Sequence, residues 1–159
     1  MQIESVLDVE TNTITIKQRI DYLNTSKDRL KELYFNDWIS SYSSPTTPLA
    51  NRFVEEFNNA LLDVKPIDRG LTEITTVKNT LGNSIDYKYL ENHPDIFKVT
   101  LENELLPNTS TSLYFEYTLY LIYPQRVNIF HLSSNFDLLP YSYFIYLISN
   151  LAFNFGVFS

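Results

Sequence analysis

The residues able to carry chemistry are few and scattered along this chain of 159 residues. A zinc-dependent hydrolase needs about three N or O ligands converging on one point plus a general base, commonly as His-Glu-x-x-His on one helix face. The sequence has two histidines, His93 and His131, neither followed by glutamate, and no cysteine. From this set no metal site, disulfide or thiol nucleophile is expected. His93-Pro94-Asp95 reads as a turn joining two strands, with Pro94 preset for it. Glu55 and Glu56 are adjacent carboxylates, but neighbours on a helix diverge by about 100°. They cannot share a substrate as acid and base, and they read as a solvated face. Asp68-Arg69-Gly70 has the residue types to hold an anion, yet a structural ion pair and turn ahead of a strand fits the pattern better. There is no glycine-rich phosphate loop and no serine elbow. No residue is therefore assigned a catalytic, cofactor-binding or metal-binding role, and function must come from architecture.

The charge balance excludes one broad class of partner. With 12 Lys and Arg against 19 Asp and Glu, net charge −7, the chain lacks the basic face that a phosphate backbone requires, so nucleic acid is not an expected partner. The aromatic content of 15% with few glycines and many Ile, Val and Thr favours strands. The N-terminus, Met1-Gln2-Ile3-Glu4-Ser5-Val6, has neither a basic n-region nor an apolar h-region, so no export signal is expected in the chain as given. Localisation is left open by these features.

The elements that must position any site follow from periodicity. Residues 3–7 and 13–23 read as a β-hairpin around Asp8-Val9-Glu10-Thr11-Asn12. In its second strand Ile14, Ile16, Ile20 and Tyr22 share one face while Thr15, Lys17, Arg19 and Asp21 share the other. Residues 24–27 read as a turn, 30–38 as a further strand and 40–47 as a polar loop. Thr47 is an N-cap candidate with Pro48 at the first helical position. Leu49, Phe53, Phe57, Ala60 and Leu61 then form an apolar stripe, with Arg52, Glu55, Glu56 and Asn59 outside. This predicts one amphipathic helix of about 14 residues, from 48 to 61, packed on the sandwich. Strands are expected again over 70–77, 84–90 and 96–101, with a turn at Leu105-Leu106-Pro107-Asn108. A long strand follows, with Leu113, Phe115, Tyr117, Leu119 and Leu121 facing inward. The fold class is mostly β, an antiparallel β-sandwich of about seven strands with one short amphipathic helix and a hydrophobic C-terminal tail.

Several of these runs together resemble a known domain. They are Asp21-Tyr22-Leu23-Asn24-Thr25-Ser26, Leu30-Lys31-Glu32-Leu33-Tyr34-Phe35, Thr47-Pro48-Leu49-Ala50-Asn51-Arg52-Phe53 and Asp68-Arg69-Gly70-Leu71-Thr72-Glu73-Ile74. Pro94-Asp95-Ile96-Phe97-Lys98-Val99-Thr100-Leu101 and Leu105-Leu106-Pro107-Asn108-Thr109-Ser110 complete the order. In order and spacing, residues 3–121 resemble the N-terminal domain of aminopeptidase N-type zinc metallopeptidases, peptidase family M1, in a Bacteroidetes-like branch. The resemblance implies a non-catalytic sandwich supporting a thermolysin-like catalytic domain. It implies that the zinc ligands, the catalytic glutamate and the Gly-x-Met-Glu-Asn segment belong to that next domain. None of those motifs occurs here. The implied partner is the parent's catalytic domain, the cofactor is zinc in that domain and none in this chain, and the parent is placed in the cell envelope or outside the cell. The alternatives are a stand-alone β-sandwich binding module and a small membrane-anchored protein.

Composition breaks near Ile122. Every charged residue except Arg126 and Asp137 precedes that point, so the expected organisation is a sandwich over 1–122 and a hydrophobic tail over 123–159. Residues 138–158 carry no charge and have the length of a membrane span. Pro140, Ser142, Ser149, Asn150, Asn154 and Gly156 and the missing Lys or Arg flank argue against insertion. A frameshifted translation of AT-rich DNA also produces such text. The tail is expected to be non-native or partly ordered and to add nothing to the fold, and the abrupt ends read as those of a fragment.

Overall fold

The computed structural model describes residues 1–59 and 61–120. Seven strands among these residues form two antiparallel sheets. β1 (Gln2–Asp8), β2 (Thr13–Leu23), β7 (Ser110–Tyr120) and β4 (Leu71–Lys78) make a four-stranded sheet in the order β1-β2-β7-β4. β3 (Leu30–Asn36), β6 (His93–Leu105) and β5 (Tyr87–Leu90) make a three-stranded sheet in the order β3-β6-β5. The expected mostly-β antiparallel sandwich is the observed architecture, since the inward faces of both sheets share one core.

Period-2 patterning builds that core. Ile14, Ile16 and Ile20 of β2 and Leu113, Phe115, Tyr117 and Leu119 of β7 are buried against Leu33 and Phe35 of β3 and Phe97, Val99 and Leu101 of β6. Phe35 and Phe97 are register partners in one sheet and stack at 5.3 Å between ring centroids. Phe115 from the opposite sheet meets Phe35 edge-on, also at 5.3 Å. Offset and edge contacts of this kind add about 0.5–1.5 kcal/mol beyond area burial. The β1–β2 hairpin turns where Asp8 Oδ1 accepts the backbone N–H groups of Glu10 and Thr11 and Asn12 adopts a positive φ of 54°. An Asx-type turn thus closes the first wet-faced hairpin.

The helix is shorter than its stripe predicted. α1 (Pro48–Glu55) has eight residues, capped by Thr47, whose Oγ1 accepts the Ala50 N–H at 3.2 Å. It ends in a Schellman-type stop. Asn58 N–H reaches back to Phe53 O at 2.8 Å, and Phe57 occupies the left-handed position with φ 60°. That geometry swings Phe57 off the stripe, and it is 97% exposed. Ala60 lies outside the described residues. The remaining stripe residues do not enter the sandwich core. Leu49, Ala50 and Phe53 pack with Tyr42, Leu61 and Val64 as a separate satellite cluster. The periodicity continued past the helix because Phe57 and Leu61 happen to keep the spacing, while the backbone had already turned.

Three strand boundaries also move. β3 stops at Asn36, and the chain passes through Asp37 and Trp38 into a 3-10 turn over Ile39–Tyr42. Residues 84–86 are not a regular strand: they hold an isolated bridge between Lys78 and Ser84, the Ile85 N–H donates to Val77 O, and Asp86 O accepts the Thr100 N–H before β5 begins. His93-Pro94-Asp95 does not form the turn but opens β6, with His93 paired to Leu90. Pro94 sits beside the register break at Tyr89 and Leu90, where its missing N–H costs no regular ladder bond. Among the described residues no helix is long and apolar enough to cross a membrane. The tail expectations for 123–159, including the span at 138–158, and the inward placement of Leu121 lie outside the described residues.

Candidate functional site: a buried carboxylate at the joint of the sheets

The polar centre of the described residues is Asp37. It continues the inward phase of Leu33 and Phe35 one step past β3, so a carboxylate arrives where an apolar side chain is usual, and it is buried. Four groups donate to it. Ser40 supplies its backbone N–H to Oδ1 at 3.3 Å and its hydroxyl to Oδ2 at 2.7 Å. Thr72 of β4 donates to Oδ1 at 2.6 Å, and Tyr89 of β5 donates to Oδ2 at 2.7 Å. The Asp37 N–H itself donates to Asp95 O of β6 at 2.6 Å. No lysine or arginine pairs with this carboxylate among the described residues. Its charge is held by hydroxyl and amide dipoles, each charge-assisted bond being shorter and stronger than a neutral one.

Burial, followed by the nearby Asp37 charge, pushes the Tyr89 phenol far above its ordinary value, and the same two causes raise Tyr117. Tyr117 donates to Gln18 Oε1 at 2.8 Å, and both residues are buried. Two phenols held neutral beside a carboxylate make a rigid tie.

A second polar joint closes the far end of the sandwich. Asn24 is fully buried and donates Nδ2 to Asp28 O at 2.8 Å and Leu105 O at 3.0 Å. Its Oδ1 accepts the N–H and hydroxyl of Ser26, and its backbone pairs with Asn108 and Thr109. The turn at Leu105-Leu106-Pro107-Asn108 therefore stands as expected, with Asn108 at φ 59°.

The sequence-level candidates are not brought together. His93 is exposed at the start of β6, and His131 lies outside the described residues. Glu55 and Glu56 are exposed as expected, and Glu56 pairs with Arg52 at 3.0 Å. Asp68 is buried in the 3-10 turn Pro66–Asp68 that leads into β4, and Arg69 Nη2 donates to Val64 O at 2.8 Å. Among the described residues no three His, Asp or Glu side chains cluster as metal ligands. Asp37 was missed because residues 30–38 read as one apolar strand. Its signal was its phase, a charged residue in register with Leu33 and Phe35.

Comparison with known proteins adds no family: no protein-family model matches the chain, and no curated protein matches it.

Proposed function

We propose that residues 1–122 are the non-catalytic N-terminal β-sandwich of an M1-type zinc aminopeptidase-like protein. Its parent would hydrolyse peptide bonds at N-termini with zinc-activated water. The observation that carries this reading is where the resembling runs meet. Asn24, from the first run, hydrogen-bonds to Leu105, Asn108 and Thr109, from the last. Thr72 and Asp95, from two further runs, both bond to Asp37. Runs spread over most of the chain thus supply the joints of one sandwich, which suits a supporting domain. The role of this chain is then to fold and to present a surface to the catalytic domain, while substrate chemistry resides elsewhere. The test is to supply a catalytic domain of this family in trans or by fusion. Soluble, active aminopeptidase that depends on residues 1–122 supports the reading, and activity indifferent to them opposes it.

A further inference from the structure

A strand at the edge of a sheet presents unpaired backbone N–H and C=O groups, which template pairing with another chain unless something blunts them. The edges formed by β3, β4 and β5 are blunted. β5 has only four residues, and β3 carries a register break between Leu30 and Glu32. β4 is bulged between Ile74 and Thr76. Its outward carbonyls are also taken, since the Ile85 N–H donates to Val77 O and the Tyr87 hydroxyl donates to Ile74 O, each at 2.9 Å. β1 has none of these devices. Its seven residues, Gln2–Asp8, pair with β2 without a break and include no Pro, Lys or Arg. Among the described residues no strand pairs with its outer edge.

The register identifies the free groups on that edge. Because Val77 O accepts from Ile85, the Val77 backbone faces away from β7. Antiparallel partners alternate between bonded and non-bonded pairs. Followed from Val77 to its partner Phe115, then to Gln18 and to Ile3, this alternation points the N–H and C=O of Ile3, Ser5 and Leu7 outward from β2. A second β1 running antiparallel, with Ser5 opposite its own copy, aligns the whole strand in phase. Ile3 then faces Leu7, Gln2 faces Asp8 and Glu4 faces Val6, and each pair among Ile3, Ser5 and Leu7 can exchange both backbone hydrogen bonds. Sliding by two residues sets Glu4 against Glu4 in one direction and against Asp8 in the other, and like charges directly opposite are destabilising. Ile3 and Leu7 already pack on the core, so this register also carries its apolar row across the junction.

We propose that the outer edge of β1 is an interface for a second copy of this chain, joined antiparallel about Ser5 into one continuous sheet. The occupant follows from the strand itself, whose charges oppose no like charge in the one register that uses its full length. The inference does not rest on the aminopeptidase reading.

Sedimentation equilibrium of the full chain between about 1 μM and 1 mM tests it, the range suited to a small interface made mainly of backbone bonds. A monomer–dimer equilibrium is expected. Ser5→Pro removes an N–H that β2 does not use, so it should abolish the dimer while leaving the circular dichroism unchanged. Val6 is 70% exposed, so its substitution leaves the core intact. Val6→Lys sets an ammonium opposite Glu4 of the second copy and should tighten the dimer about fivefold, whereas Val6→Glu should weaken it about fivefold. A monomer at every concentration overturns the proposal and leaves the edge to an extended segment of a different protein. Association that survives Ser5→Pro overturns it, and so does an equal response to Val6→Lys and Val6→Glu, which would place the contact elsewhere.

Discussion

The hydroxyl of Thr72, in the four-stranded sheet, donates across 2.6 Å to the carboxylate of Asp37, which leaves the last strand position of the three-stranded sheet. Tyr89 holds the other oxygen of the same carboxylate from the edge strand β5. One carboxylate therefore ties the two sheets together at this point. Apolar packing by itself is non-directional and sets that geometry less strictly.

Removing the acceptor should cost more than removing any one donor. Asp37→Ala leaves the hydroxyls of Ser40, Thr72 and Tyr89 facing a void, and each buried orphan costs about 1–3 kcal/mol. A loss of about 3 kcal/mol or more is expected by urea denaturation, against about 1–2 kcal/mol for Thr72→Val. Equal losses for the two variants would show that the carboxylate is not the hub.

The exposed Phe57 gives a prediction of opposite sign to the one its sequence spacing suggests. A ring fully buried on a helix stripe costs about 3–5 kcal/mol when truncated, but at 97% exposure Phe57→Ala should stay within about 0.5 kcal/mol. Phe57→Gly should raise stability by about 1 kcal/mol, because glycine takes the left-handed C-terminal position without the side-chain penalty. Thermal melts of the pair decide it, and a marked loss in either contradicts the observed helix stop.

How far the fold was legible depended on what each element asked of its residues. β2 needed only alternation, and Ile14, Ile16 and Ile20 fix both its face and its bounds. β7 was read in the same way from Leu113, Phe115, Tyr117 and Leu119. The helix end was not legible, because a phenylalanine occupies the position where glycine signals a stop, and hydrophobic spacing carried on through Leu61. The 3-10 turn after β3 was hidden for a related reason. Trp38 and Ile39 prolong an apolar run whose backbone is redirected by Asp37 and Ser40, a local side-chain contact that periodicity does not register. The joints at Asp37 and Asn24 depend on partners dozens of residues away, such as Tyr89 and Leu105, and no local pattern specifies those pairings.

Alkaline pH offers a separate probe of the same joint. The phenols of Tyr89 and Tyr117 are raised above their ordinary value of 10.0, chiefly by burial and then by Asp37. In the unfolded chain they ionise near that ordinary value. Their contribution to stability is thus fully present below pH about 10 and is lost as pH rises above it, since the unfolded state releases protons first. Stability should fall from pH 10 upward, and Tyr117→Phe should flatten that fall while lowering stability at pH 7. A pH profile identical to that of the parent chain contradicts the assignment.

The full chain should show no aminopeptidase activity and should retain no stoichiometric zinc after dialysis, as expected from two isolated histidines and no cysteine. Metal analysis by mass spectrometry checks this directly. One tightly held zinc per chain would require a site built differently from any described above.

The central claim is that this sandwich belongs to a zinc aminopeptidase-like protein whose catalytic domain follows it. Sequencing the gene's locus downstream of codon 122 and translating all three frames tests that claim most directly. The account predicts that one frame encodes a Gly-x-Met-Glu-Asn segment followed by His-Glu-x-x-His. Three frames without either motif would contradict it.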